Sequence, residues 1–255
     1  MGFDAYRSRF GFRTEGAFLV GVERECFLTD ASGAIAPLAP RVLAYLTDPV
    51  QFGYELSACQ LETRVGPCRP SELAAALAAN DAQVAAAERA LGFGRLHREV
   101  GPADIPLDVY PDPTGRYAQI VKTLPLEVLR AACRVIGTHV HIGMPDHDVA
   151  LAAYNHATAY LDELCALGDG SGGERLGIYA VMAPQWRPPR FDSWQDFYEA
   201  AVANGFDADP RKCWTLIRIS VHGTIEFRMF GATGDLNRIV GWAKRCHEIC
   251  AQVLR

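Results

Sequence analysis

GVERECFLTD, residues 21–30, sets two glutamates into an otherwise apolar run. With the residues before it the stretch reads GAFLVGVERECFL (16–28), and Phe18, Val20, Val22, Cys26 and Leu28 share one parity. Side chains at i and i+2 of a strand point to the same face. Glu23 and Glu25 therefore point together, away from Val22, Cys26 and Leu28. Alone, such a pair is the solvated side of a half-buried sheet. The pattern recurs three times. IGTHVHIG (136–143) puts His139 and His141 on one face and Val140 and Ile142 on the other. QLETRVG (60–66) pairs Glu62 with Arg64, and GTIEFRMF (223–230) pairs Glu226 with Arg228 against Ile225, Phe227 and Met229.

A single Glu-x-Arg pair is an exposed ion pair worth under about 1 kcal/mol. Four such strands side by side are a different matter. One face would gather Glu23, Glu25, Glu62, Glu226, His139, His141, Arg64 and Arg228. Carboxylates that close repel one another unless cations neutralise them. Glutamate oxygens with an imidazole suit magnesium or manganese; zinc is less suited, because no cysteine shares the face. Glu23 and Glu25 thus read as a metal-binding pair on a wall that can hold a polyphosphate through divalent ions. The chain has no Walker A sequence and no G-x-G-x-x-G opening a helix after a strand, which excludes the ordinary P-loop and Rossmann classes.

The 255 residues are 49% hydrophobic and 22% charged, the composition of one large or two small globular domains. A formal net charge of -5 gives no support to a general nucleic-acid role. No apolar run approaches the roughly 20 residues needed to span a bilayer, so no membrane association is expected. The N-terminal stretch lacks a secretory pattern, and Tyr6 stands where a myristoylation motif wants Ser or Thr. The eight cysteines form no Cys-x-x-Cys pair and read as reduced, mostly buried thiols of a cytoplasmic protein. Cys246 and Cys250, at i and i+4 of an expected helix, make only half of a structural zinc site.

Strands are expected near 16–28, 61–66, 136–143 and 214–230. One helix is expected from Ser71, as N-cap, to a stop at Gly92. Others are expected from about Asp148 to Leu167, from Ser193 with Asp196 as a capping box to Gly205, and from near Asp235 to the C-terminus. Pro- and Gly-rich stretches at 101–117, 168–177 and 183–191 read as loops, of the kind that act as lids or binding segments, and 101–117 reads equally well as a linker. Alternating strands favour a mixed antiparallel sheet with one covered and one open face over a doubly covered parallel sheet.

GVERECFLTD, ELSACQLETRVGPC, GTHVHIGMPDHD and DPRKCW…GTIEFRMFGA follow the order found in the glutamate–cysteine ligase family, and the chain resembles its bacterial carboxylate–amine ligase branch from about residue 18 to 232. The resemblance implies an α+β fold like the glutamine synthetase catalytic domain: a curved, mainly antiparallel sheet backed by helices, with the active site on its concave face. It implies one catalytic domain over 1–255, shortened at the C-terminus relative to the family. It also implies an ATP-dependent ligase that joins an amino-acid carboxylate, typically the γ-carboxylate of glutamate, to an amine, typically that of cysteine, through an acyl phosphate.

By the same resemblance Glu23, Glu25, Glu55, Glu62, His139 and Glu226 are ligands of magnesium or manganese. His141, Arg64 and Arg218 contact substrate or ATP. Arg228, with Glu226 beside it, is catalytic and stabilises charge on the transferred phosphoryl group. Partners are then small-molecule substrates, with a homodimer as an admissible assembly. Arg175, Arg187 and Arg190, in the loosely matching 168–191 region, are candidate carboxylate contacts. Two other readings stand beside the ligase. One is a non-catalytic nucleotide- or partner-binding module derived from such an enzyme. The other is a metal-dependent hydrolase using the His-x-His strand.

Overall fold

A computed structural model describes residues 2–254. Seven strands form one sheet: β1 (Val20–Thr29), β2 (Phe52–Tyr54), β3 (Gln60–Cys68), β4 (Gly94–Leu96), β5 (Gly137–Gly143), β6 (Ile217–Ser220) and β7 (Thr224–Gly231). Their order is β2-β3-β1-β5-β7-β6, with β4 paired to the far end of β1, and every pairing is antiparallel. The helices are α1 (Phe3–Arg7), α2 (Ala39–Tyr45), α3 (Leu73–Leu91), α4 (Arg116–Thr123), α5 (Leu126–Arg134), α6 (His147–Thr158), α7 (Leu161–Gly168), α8 (Glu174–Met182), α9 (Trp194–Ala203) and α10 (Leu236–Ala251).

The apolar parity of the strands faces the helices, as alternation requires. Val20, Val22, Val140, Ile142, Ile225 and Phe227 pack with Leu77 of α3, Tyr154 of α6 and Ile239, Trp242 and Cys246 of α10. Cys26, Leu28 and Leu61 continue this layer against Val42 of α2 and Val84 and Ala87 of α3. Burying aliphatic side chains of this size contributes about 1.5–3 kcal/mol each. Arg24 belongs to the same parity and is also buried there. Its Nη2 donates to Asn80 Oδ1 at 3.2 Å, and it lies 3.6 Å from Asp81.

The other face is roofed rather than open. Phe27 shares the parity of Glu23 and Glu25, yet it is fully buried with Ile105 and Ile136 beneath the 101–110 segment. Beyond that segment, α4 and α5 occupy 116–134, a stretch with no expected helix, and α8 begins inside the expected loop 168–177. Pro111, Pro113, Gly115 and Pro125 punctuate the roof into short helices, which hides their periodicity in the sequence.

Other boundaries move as well. β1 begins at Val20 because Thr14–Gly16 forms a 3-10 turn and Phe18 takes a positive φ of 58°. The expected strand 214–230 is a hairpin, β6 and β7, turning through Gly223 at φ 75°. The N-cap of α3 is Glu72, with no side-chain cap, instead of Ser71, while Gly92 ends the helix in the left-handed region at φ 67°. The expected helix 148–167 breaks into α6 and α7, and Asp146 caps α6 through the amides of Asp148 and Val149. Ser193 does cap α9, but Asp196 reaches back to the amide of Asp192 rather than Ser193. Asp235 caps α10, which passes at Gln252 into a 3-10 turn; its expected end at residue 255 lies outside the described residues.

Candidate active site

Cross-strand register builds the site. Glu23 of β1 stands opposite Arg64 of β3 on one side and His139 of β5 on the other. Glu25 stands opposite Glu62. His141 stands opposite Glu226 of β7, which stands opposite Arg218 of β6. Between Thr138 and Val140 the partners on β7 change from Phe230 to Phe227, so β7 carries one extra residue there. Such a bulge re-aims side chains. Met229 and Phe230 both enter the helix-side core as a result, and Arg228 is left facing the site.

A cavity of 420 Å³ lies over this face, lined by Glu23, Glu25, Glu55, Glu62, His139, His141, Arg218, Glu226 and Arg228. Every expected site residue except Arg64 lines it. Arg64 sits behind, ion-paired with Glu62 and with its side chain 38% exposed. Gly53 of β2 pairs with Glu62, and a Cβ there would strike this ion pair, so only glycine leaves it room. Of the loop arginines, Arg175 alone lines the cavity. It is buried and donates to the carbonyls of Ile136 (2.8 Å), Met229 (3.1 Å) and Arg228 (3.3 Å), so it braces strands instead of facing a substrate carboxylate. Arg187 pairs with Asp162 at 3.1 Å away from the cavity, and Arg190 is exposed outside it.

Two groups differ in charge balance. In the first, Glu23 Oε2 is 3.2 Å from His139 Nδ1 and 3.6 Å from His141 Nε2. Glu226 is wholly buried and accepts from Arg218 Nε (2.7 Å) and Nη2 (3.0 Å) and from Arg228 Nη1. Burial works against both carboxylates, but His141 and His139 hold Glu23 well below the usual range, and Arg218 and Arg228 do the same for Glu226. Burial and the Arg228 charge push His139 down; for His141 burial is outweighed by Glu226 and Glu23, which raise it.

The second group is Glu25, Glu55 and Glu62. Burial raises Glu25, partly opposed by the Gly137 amide, which donates to Glu25 Oε2 at 2.6 Å. Burial together with the charges of Glu62 and Glu25 raises Glu55 well above its usual value. Burial and Glu23 raise Glu62 although Arg64 opposes them.

Ligand atoms of Glu23, His141 and Glu226 lie within 4.8 Å of one another, as do those of Glu25, Glu55 and Glu62. Both sets fit a divalent cation. Thr224 Oγ1 holds His141 Nδ1 at 2.9 Å, leaving a buried Nε2 with no hydrogen-bond partner, aimed at the first set. In the second set three carboxylates crowd together with one guanidinium at their edge, so a cation would relieve the repulsion that otherwise retains protons. His139 lies between the sets, its Nε2 3.9 Å from Glu25 and its Nδ1 4.0 Å from Glu226.

Other lining residues had no signal in strand alternation. Trp214 lies under Arg228, with the guanidinium 5.5 Å from its ring centroid. Arg116, Tyr117 and Ile120 come from α4, Leu124 follows it, and Val128 comes from α5. The signal for the roof residues is helical periodicity, which two helices as short as 116–123 and 126–134 carry too briefly to stand out.

The model of Glutamate-cysteine ligase family 2 (GCS2) matches residues 19–171. A Rhodococcus jostii protein named "Putative glutamate--cysteine ligase 2-1" is 30% identical over 206 residues, covering 72% of this chain and 52% of the relative. A similarly named "2-3" protein of Rubrobacter xylanophilus is 30% identical over 268 residues, covering 96% of this chain and 71% of the relative. A Gloeobacter violaceus relative is 26% identical, covering 90% of this chain and 66% of itself. The chain thus spans from about half to about two thirds of the length of the first two relatives it matches, in Rhodococcus and Gloeobacter. In fold, the crystal structure of a bifunctional glutathione synthetase from Pasteurella multocida aligns with a TM-score of 0.57 at 15% identity, over 90% of this chain and 38% of that one. From its first strand through the paired histidines to the loop after α7, the chain carries the family's sequence pattern, and it belongs to glutamate–cysteine ligase family 2.

Proposed function

We propose that this chain carries the catalytic face of an ATP-dependent carboxylate–amine ligase that forms an amide, of γ-glutamyl type, through an acyl phosphate. The observation that carries the reading is the convergence of five glutamates, two histidines and two arginines from five strands and one loop on a single cavity. Family membership supports the same reaction class. The all-antiparallel sheet, helix-backed on one face with the site on the other, supports the glutamine-synthetase-like form of the fold.

In this reading Glu23, His141 and Glu226 would hold one magnesium or manganese ion, and Glu25, Glu55 and Glu62 would hold another, with His139 placed between the two sets. Bound cations supply charge neutralisation for the triphosphate and Lewis-acid polarisation of its terminal phosphoryl group. Glu226 fixes the guanidinium groups of Arg218 and Arg228. Arg228 is thereby aimed at charge that builds on the transferred phosphoryl oxygens. The acid's carboxylate attacks that phosphorus and ADP leaves. The amine then attacks the acyl carbon, and phosphate leaves. Ile120, Leu124 and Val128 in the roof keep water from the acyl phosphate.

The test is phosphate release by the purified chain with ATP, magnesium and a panel of acids and amines, glutamate and cysteine among them. The acid is labelled with oxygen-18 in its reacting carboxylate. The ligase reading predicts release that depends on both acceptors and label recovered in phosphate. Release independent of any acid, or label absent from phosphate, would refute it.

A further inference from the structure

Five arginines line the cavity: Arg116, Arg175, Arg211, Arg218 and Arg228. Four are already engaged. Arg218 and Arg228 hold Glu226, Arg175 holds three carbonyls, and Arg211 grips Asp209 through Nε at 2.8 Å and Nη2 at 3.0 Å. Arg116 is the exception among the described residues. Its guanidinium has no carboxylate or carbonyl partner within hydrogen-bond distance; it rests 5.7 Å from the ring centroid of Tyr117, and its charge reaches Asp209, which Arg211 already holds.

The turn that carries Arg116 is built to hold it at the cavity. Asp112 is buried; its Oδ2 accepts from the amide of Arg116 at 3.0 Å and its Oδ1 from the amide of Tyr117 at 2.8 Å. Gly115 takes φ 69°, a left-handed turn that starts α4 and that a side chain would strain. Tyr117 packs edge-on to Tyr54, which stacks on Tyr110. The charges of Glu55 and Glu62 reach Tyr117 and, with burial, raise its phenol. The turn therefore presents at the cavity a guanidinium with no hydrogen-bonded partner, next to a tyrosine that feels the charges of Glu55 and Glu62.

We propose that Arg116 binds a free oxyanion, a carboxylate or a phosphate, of the substrate held in the cavity that it shares with Glu25, Glu55 and Glu62, and so selects substrates that carry one. This rests on the ligase reading only for the identity of that substrate. Cations on the wall can satisfy the reacting anion. A second anionic group, at the roof, needs its own counter-charge. A guanidinium offers that in the paired geometry that carboxylate and phosphate oxygens fit.

The experiment measures binding of glutamate and of magnesium–ATP separately, by calorimetry, to the intact chain and to Arg116→Ala and Arg116→Lys, with KM for each substrate where turnover exists. Arg116 is exposed, so both variants should fold, and thermal melting checks this. The expected result is a loss of about tenfold or more for one probe in Arg116→Ala, partial recovery in Arg116→Lys, and unchanged affinity for magnesium alone. A loss confined to glutamate identifies a carboxylate; a loss confined to ATP identifies a phosphate. Equal binding of both probes by wild type and Arg116→Ala overturns the inference, and persisting turnover then leaves the ligase reading intact. Arg116-dependent binding without turnover on any acid and amine supports the inference and removes the ligase reading. Absence of binding of either probe to the wild type removes both.

Discussion

Glu25 and Glu62 face each other directly across β1 and β3, two like charges at one register position. Such a pair destabilises a sheet. Glu55 adds a third carboxyl within 4.8 Å of both; Arg64 pairs with Glu62 at their edge, and the charges of Arg175 and Arg228 reach Glu25 without outweighing its burial. A fold retains this arrangement at a cost unless cations bind there.

Replacing one of these acids by its neutral isostere should therefore separate stability from binding. Glu55→Gln removes a repelled charge and keeps its shape. Its melting temperature in chelator should equal or exceed the wild type's. The rise in melting temperature that millimolar magnesium gives the wild type should shrink, because ligand-linked stabilisation follows affinity. A lower melting temperature in chelator would argue that Glu55 is a structural residue.

Cation binding should also depend on pH in a defined sense. Burial raises Glu25, Glu55 and Glu62, helped by the charge of Glu23 at Glu25 and Glu62 and by those of Glu62 and Glu25 at Glu55, so in the cation-free chain they retain protons above the ordinary carboxyl range. A cation must displace those protons. Affinity for magnesium should fall as pH is lowered from 8 towards 5, with protons released on binding. Calorimetry in buffers of different ionisation enthalpy reads that release directly. The folded state also holds more protons than the unfolded state above the ordinary carboxyl range, so these groups cost stability as pH rises. Glu55→Gln should accordingly gain on the wild type in chelator as pH goes from 5 to 8.

Arg228 and the cation ligands should separate chemistry from binding. Arg228→Ala leaves Glu226 paired with Arg218, so manganese binding should persist, while turnover falls by about 10²–10³ through loss of a donor to the transferred group. Steady-state phosphate release beside a manganese titration checks this. Unchanged turnover would move Arg228 out of the reaction; loss of both would make it structural.

Beneath the sheet, the Arg24 and Arg95 network gives a stability prediction free of the site. Arg95 bonds Asp81 at 2.7 Å and Glu88 at 2.9 Å, whereas Arg24 bonds Asn80 and lies 3.6 Å from Asp81. Arg95→Met removes the bonds to both Asp81 and Glu88, leaves Asp81 only the longer contact with Arg24, and should cost about 2 kcal/mol. Arg24→Met leaves Asp81 bound to Arg95 and should cost about 1 kcal/mol. Urea denaturation compares them.

Strand alternation was enough to read most of the wall in the sequence. Period-two placement made Glu23/Glu25, Glu62, His139/His141 and Glu226/Arg228 share a face before any pairing was known, and the register then joined them. Pairing itself is non-local, so alternation could not show that Arg64 would fall behind Glu62 rather than in the cavity. Glu55 lies in the turn before β3, where no periodicity applies, and only the family pattern pointed to it. The roof was illegible for another reason. Its helices are short and separated by Pro and Gly, so Arg116 and Tyr117 read as part of a loop. Arg175 read as a candidate carboxylate contact on a loop, whereas Gly137 leaves it room to lie buried against the end of the sheet. The break between α6 and α7 has neither Gly nor Pro at residues 159–160 to announce it.

The central claim is that the carboxylate face holds divalent cations. Manganese titration of the intact chain, followed by electron paramagnetic resonance, tests it most directly. The account predicts two bound ions per chain, with one lost in Glu25→Gln and the other weakened at least tenfold in Glu23→Gln. A folded chain that binds no manganese at millimolar concentration, or binds it equally in both variants, would contradict it.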